Sequence, residues 1–224
     1  GDNVINANAG DDVINAGAGN DTVNAGAGND TINWGTGTDT YDGGADADTL
    51  DYTGAGAITT GSIVGVTGTI TTGGDVDTVS NIENFVLTAN NDLLTFDTNA
   101  LASLGTVDAQ GGNDSIRIDD LTNDLTDANL DGANFAAIFS DVEELDFRGT
   151  DLTGGDTFDI GNDEIGSISG GTSLTIRVDT ATIALADINP LAQGGATIIG
   201  DNTVGNTRTV DWDNGTQLVI NGGA

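Results

Sequence analysis

GDNVINANA-GDDVINAGA-GNDTVNAGA-GNDTINWGT-GTDTYDGGA-DADTLDYTG, residues 1–54, divides into nonapeptides from the first residue. One position of the nine reads Asn3, Asp12, Asp21, Asp30, Asp39, Asp48. Two residues later an apolar series runs Ile5, Ile14, Val23, Ile32, Tyr41, Leu50. A glycine series runs Gly1, Gly10, Gly19, Gly28, Gly37 and breaks at Asp46; a second runs Gly17, Gly26, Gly35, Gly44, with Asn8 in the first copy. A strict internal period of this kind marks a stacked, repetitive architecture.

Each nine holds a turn, such as Ala16–Asp21, and a three-residue strand, such as Thr22–Asn24. Glycine tolerates the positive φ angles that let turn carbonyls point inward at an ion. Within each strand the middle residue faces in and its neighbours face out. The interior is therefore expected to be a thin stack of Ile, Val, Tyr and Leu, with Thr, Asn and Asp outside.

The pattern resembles the RTX repeat GGxGxDxUx, a calcium-binding parallel β-helix repeat. The resemblance covers residues 1–54 and implies an all-β fold: a parallel β-roll, or β-solenoid, with stacked calcium sites. It also implies that two nonapeptides make one coil and that each ion lies between turns two repeats apart. Carried over, Asn3 pairs with Asp21, Asp12 with Asp30, Asp21 with Asp39, and Asp30 with Asp48. That is about four Ca²⁺ ions, the Asn3 site being weaker for want of one charge. Gly10, Gly17, Gly19, Gly26, Gly28, Gly35 and Gly37 would shape the carbonyl cradle. The chain departs from the motif where its first glycine is Ala7, Ala16, Ala25 or Trp34, and where Asp46 and Ala47 break the sixth copy. Ordinary turn formation explains single aspartates, but not a fixed spacing of nine.

Working outward, the composition agrees. There are 36 Asp and Glu against 4 Lys and Arg, a formal charge of −32, with no His, Cys or Met. The basic residues are Arg117, Arg148, Arg177 and Arg208. Such self-repulsion opposes a compact state unless counter-ions neutralise it, and calcium prefers carboxylate and carbonyl oxygens. The charge argues against nucleic acid and against an anionic membrane surface. No stretch is long and apolar enough to span a bilayer as a helix. The lack of cysteine fits a secreted bacterial protein without disulfides. The chain starts in mid-repeat, as expected of a piece of a longer one.

After residue 54 the strict period ends, but β-character continues. Residues 57–72 alternate like a strand pair around Gly61–Gly65. Further strand-like runs are Phe85–Thr88, Ser115–Asp119, Leu145–Phe147, Ser173–Val178, Ala196–Ile199, Thr207–Trp212 and Gln217–Ile220. Residues 125–140 are the one expected helix. The expected organisation is a calcium-binding β-roll at 1–54, then a β-rich region at 55–224, an irregular β-solenoid or β-sandwich-like part. Repeat fragments persist at 88–96 and 109–118, which makes Asp92 and Asp114 candidate ligands of isolated calcium sites. The last residues, 210–224, read as a hairpin with an Asn214-Gly215 turn. They are also compatible with a type I secretion signal.

Without His, Cys or Lys there is no nucleophile–histidine pair, no Schiff-base lysine and no histidine-ligated metal. Glutamates are few, and adjacent Glu143 and Glu144 on a strand would face opposite sides. No enzymatic activity is expected. Tyr41 belongs to the inward series, and Trp34 and Trp212 are read as packing residues ahead of sugar-stacking ones. Ice binding is disfavoured, because Thr22, Thr31, Thr40 and Thr49 split between two faces. Residues 76–96, VDTVSNIENFVLTANNDLLTF, and 138–160, IFSDVEELDFRGTDLTGGDTFDI, share a short Ile-Glu or Val-Glu step, a β-run and an Asn/Asp/Gly-rich bend, and resemble the non-repeat segments that flank RTX arrays near the C-termini of large adhesins. That implies a secreted, cell-surface protein exported by type I machinery, with a cell-surface, glycan or self-association partner. An S-layer segment or the calcium module of a secreted enzyme are the alternatives.

Overall fold

The computed structural model describes residues 1–119, 132–147, 158–179, 188–191, 198–204 and 206–223. They form two compact units, Gly1–Gly112 and Asn113–Ala224.

In the first unit the six nonapeptides supply β1 (Val4–Ala9), β2 (Val13–Asn15), β3 (Thr22–Ala27), β4 (Thr31–Asn33), β5 (Thr40–Ala45) and β6 (Thr49–Asp51). Odd strands stack on odd and even on even, all parallel, with Val23 opposite Ile5 and Tyr41, and Ile32 opposite Ile14 and Leu50. Two nonapeptides thus complete one coil. Thr22 and Thr40 lie on one ladder, Thr31 and Thr49 on the other. Val23, Ile32, Tyr41 and Leu50 are wholly buried, each contributing about 1.5–3 kcal/mol by leaving water. The expected three-residue strands hold for the even copies only. In the odd copies the ladder runs on into the turn, pairing Asn8 with Gly26 and Gly26 with Gly44.

The stacking does not stop where the strict period does. β7 (Ile58–Val64) and β8 (Thr67–Thr72) form an antiparallel hairpin turning at Gly65 rather than across Gly61–Gly65. β9 (Asp75–Ser80) then returns parallel to β5, with Thr78 opposite Thr40 and Val79 opposite Tyr41. β10 (Asn84–Val86) continues the even ladder on β6, β11 (Leu93–Asp97) adds to β7, and β12 (Val107–Asp108) to β10. A short helix the sequence reading lacks, α1 (Thr98–Leu101), follows β11. It starts where Asp97 Oδ1 accepts the Ala100 N–H at 2.7 Å, a side-chain N-cap. Phe85 and Phe96 meet edge to face in this core, 6.0 Å between centroids.

The second unit contains β13 (Ser115–Asp119), α2 (Gly132–Ile138), β14 (Phe139–Ser140), β15 (Glu144–Asp146), β16 (Phe158–Gly161), α3 (Asn162–Ser169), β17 (Ser173–Asp179), β18 (Ile188–Leu191), β19 (Ile198–Val204), β20 (Thr207–Trp212) and β21 (Gln217–Gly223). β13, β15, β17 and β21 are parallel neighbours, so solenoid-like stacking recurs. β19, β20 and β21 form an antiparallel meander, with the expected hairpin turn at Gly215 (φ +89°). Of the expected helix at 125–140, residues 125–131 lie outside the described residues, α2 covers 132–138, and 139–140 are strand. α3 was not expected. Phe135 packs on Phe139 and Phe147, and Trp212 is buried, as the packing reading of Trp212 requires.

Candidate metal centre

The turns bring the aspartate series into two columns. The backbone N–H of each member donates to a carboxylate one coil further on. Asn3 donates to Asp21 Oδ1 (2.7 Å), Asp21 to Asp39 (2.7 Å), Asp12 to Asp30 (2.8 Å) and Asp30 to Asp48 (2.8 Å). The four pairs implied by the resemblance are therefore each joined directly. A parallel outer ladder runs through the preceding residues: Asn20 N–H to Asp2 Oδ1, Asn29 N–H to Asp11 Oδ1, Thr38 N–H to Asn20 Oδ1 and Ala47 N–H to Asn29 Oδ1.

The second oxygen of the inner series decides what the columns can hold. Oδ2 of Asp12, Asp21, Asp30 and Asp48 is buried without a hydrogen-bond partner. A buried carboxylate oxygen left so is costly. The unit containing them has no compensating side chain, since all four arginines lie beyond Gly112. Burial raises the Asp48 carboxyl above its usual range, and the charges of Asp30, Glu83 and Asp46 push it the same way. Acids crowded like this call for an external cation. Only oxygen donors are present, which selects a hard ion such as Ca²⁺. Among the described residues no three acidic side chains are placed to hold a metal ion by themselves. Two carboxylates from successive coils would instead share an ion with turn carbonyls.

The glycines fit that cradle. Gly26 (φ +120°) and Gly44 (φ +106°) occupy the left-handed region, and a Cβ on either would strike the carbonyl of the coil before, Asn8 O and Gly26 O respectively. Where the series departs from glycine the conformation survives, with Asn8 at φ +84° and Asp46 at φ +80°. Asn and Asp are the side chains that tolerate it best. Gly10, Gly17, Gly19, Gly28 and Gly37 also have positive φ; Gly35 does not, but Gly17 O lies 2.6 Å from where its Cβ would be.

Both columns run past the repeats onto residues the sequence reading missed. Asp39 N–H donates to Asp77 Oδ1 (2.9 Å), and Asp48 N–H to Glu83 Oε2 (2.9 Å). Asp77-Thr78-Val79 repeats Asp21-Thr22-Val23 letter for letter, a signal hidden by the intervening hairpin. At this step tyrosines meet the second oxygens. Tyr41 O–H donates to Asp39 Oδ2 (2.8 Å) while its oxygen accepts the Gly35 N–H (3.0 Å), and Tyr52 O–H donates to Asp77 Oδ2 (3.0 Å). Burial lifts both phenols above their ordinary range and pushes the Asp77 carboxyl up to about 6. Trp34 packs on Tyr52, 6.4 Å between centroids, which is the neighbour-packing role read for it.

Asp92 and Asp114 sit differently. Asp92 is buried. Its Oδ1 accepts from Ile58 N–H (2.7 Å) and its Oδ2 from Thr88 N–H (2.8 Å), so it ties its own turn to β7. Asp114 is buried in the second unit, its N–H donating to Glu143 Oε2 (2.8 Å), the same step as in the repeats. Asn113, Asp114, Ser115, Glu143, Glu144 and Thr175 line a cavity of about 260 Å³ there. Glu144 is also held by Arg177 at 2.6 Å.

The comparisons with known proteins agree at the level of the repeat. Residues 1–32 match the family model of the RTX calcium-binding nonapeptide repeat (4 copies), and carry that repeat. None of the curated proteins matches the chain. Among solved structures, the extracellular lipase LipA from Serratia marcescens is similar at 14% identity, over 100% of this chain and 38% of the lipase, with a TM-score of 0.32. The chain thus spans well under half of that lipase.

Proposed function

We propose that this chain is a calcium-dependent folding segment of a large secreted bacterial adhesin, exported unfolded by a type I system and folding outside the cell. The observation that carries the reading is the set of buried, partnerless Oδ2 atoms of Asp12, Asp21, Asp30 and Asp48 in a unit without Lys or Arg. Bound Ca²⁺ supplies the positive charge and the demand for oxygen ligands that these turns are shaped to meet. Asn3/Asp21, Asp12/Asp30 and Asp30/Asp48 would hold it, with turn carbonyls completing each shell; at the Asp21/Asp39 step, where Tyr41 takes the second oxygen of Asp39, Asp21 Oδ2 would be the carboxylate ligand. Where calcium is scarce, the aspartate columns repel and favour the open chain that an exporter can pass. Where it is plentiful, a thousandfold excess over the dissociation constant contributes about 4 kcal/mol per site to the folded state. Folding confined to the outside gives transport a direction.

Asp92 is left out of the proposed ligand set, because both its oxygens already accept backbone N–H groups. Asp114 is kept as a separate candidate beside Glu143. No catalysis is assigned to the chain. Glu143 and Glu144 are engaged by Asp114 N–H and Arg177 respectively, and adhesion is assigned to the parent protein.

The test is circular dichroism of the apo chain during a calcium titration, with EGTA and magnesium as controls. A coil-to-β transition specific for calcium is expected. A chain fully β-structured in EGTA would sink the export-coupled reading.

A further inference from the structure

The even column does not end at the last repeat. β10 sits on β6 with Asn84 opposite Thr49, which places Glu83 in register with Asp48. The Asp48 N–H donates to Glu83 Oε2 at 2.9 Å, the same step that joins Asp12 to Asp30 and Asp30 to Asp48. Asp48 is fully buried and its Oδ2 has no partner. That oxygen points back over Gly43, 2.6 Å from where a Cβ would stand, and the Asn81 carbonyl oxygen crowds the same point from the next coil. The two oxygens therefore lie within about 5 Å of each other, the span that two ligands of one calcium ion can have. Asn81 is fixed to present its carbonyl. It adopts φ +51°, its N–H donates to Val66 O, and its side chain donates to Asp42 Oδ1 at 2.8 Å. A glutamate here, one methylene longer than aspartate, lets a coil of altered length still bring its carboxylate under the column.

We propose that the Gly43–Asp48 turn and residues Asn81–Glu83 form a further calcium site, using Asp48 Oδ2, Asn81 O and the Glu83 carboxylate. The inference rests on the calcium reading of the repeats and extends it to residues outside the nonapeptides. The odd column ends otherwise, because at Asp39 and Asp77 tyrosine hydroxyls occupy the second oxygens. The two columns are thus closed by different chemistry, one by a cation and one by phenols.

Native mass spectrometry of the full chain at saturating calcium counts bound ions. Glu83→Gln keeps an oxygen to accept the Asp48 N–H and removes the charge. It should bind one ion fewer than wild type, with an unchanged circular dichroism spectrum. An unchanged count in E83Q, beside a wild type that binds several ions, overturns this site and leaves the repeat reading standing. A wild type that binds none overturns both. Should E83Q fold poorly, wild-type crystals grown in calcium decide the matter by long-wavelength anomalous diffraction. A peak within coordinating distance of Asp48 Oδ2 and Asn81 O is expected; peaks in the repeats without one there would refute the site.

Discussion

A single aspartate in this array has two jobs, one for each oxygen. Oδ1 accepts a backbone N–H from the coil before, and Oδ2, at Asp21, Asp30 and Asp48, is buried without a hydrogen-bond partner. The first job is metal-free and sets register; the second creates the need for a cation. At Asp39 and Asp77 the second job passes to phenols. Tyr52→Phe would remove the donor to Asp77 Oδ2 and leave a buried carboxylate oxygen unmet, a loss of about 1–3 kcal/mol. Urea unfolding in saturating calcium should show that loss, while the number of bound ions stays at the wild-type value. If stability is unchanged, the hydroxyl is dispensable and the phenol closure of the odd column is wrong. The phenol contacts are not legible in the sequence. The period of nine places Asp39 and gives Tyr41 the inward position, but no periodicity reveals that a phenol reaches back to its own turn.

At the scale of the element, local repetition carried the reading as far as it was unbroken. The inward series follows from spacing, and the pairing of strands two repeats apart and the cradle glycines from the resemblance to the RTX repeat, whose coils each meet only their neighbours. The re-entry of β9 and β10 was hidden for a physical reason. The β7–β8 hairpin pushes Asp77 to 38 residues after Asp39, whereas its predecessors are 18 apart. α1 rests on a local cap at Asp97 that no hydrophobic period announces. Glycine positions allow a sharper test of the cradle. Gly44 and Gly10 both have positive φ, yet a Cβ on Gly44 would strike the Gly26 carbonyl and one on Gly10 would meet nothing. Gly10→Ala should therefore cost only the left-handed penalty of about 1–2 kcal/mol. Gly44→Ala should cost more and raise the calcium concentration at the folding midpoint further. Equal midpoints for the two variants would show that close stacking of carbonyls is not what these glycines provide.

At the scale of the whole molecule, the question is why charge of −32 is not simply screened by salt. Raising ionic strength to 1 M shortens the screening length to about 3 Å, which quiets exposed acids. It does little for Asp21, Asp30, Asp39 and Asp48, which are buried, because mobile ions cannot enter without coordination. Sodium chloride should therefore fail to fold the apo chain at any concentration, and millimolar calcium should succeed at low ionic strength. The shape of the calcium curve adds a second constraint. Asp21 belongs to both the Asn3 and the Asp39 pairs, and Asp30 to both the Asp12 and the Asp48 pairs. An ion on one side of such a carboxylate fixes it for the next, so filling one site prepares its neighbour, as in other nearest-neighbour stacks. The folding transition should then be steeper than a single-site isotherm. Isothermal titration and circular dichroism in parallel would check this. A shallow curve, or folding by sodium chloride alone, would mean that bulk charge rather than shared carboxylates governs the switch.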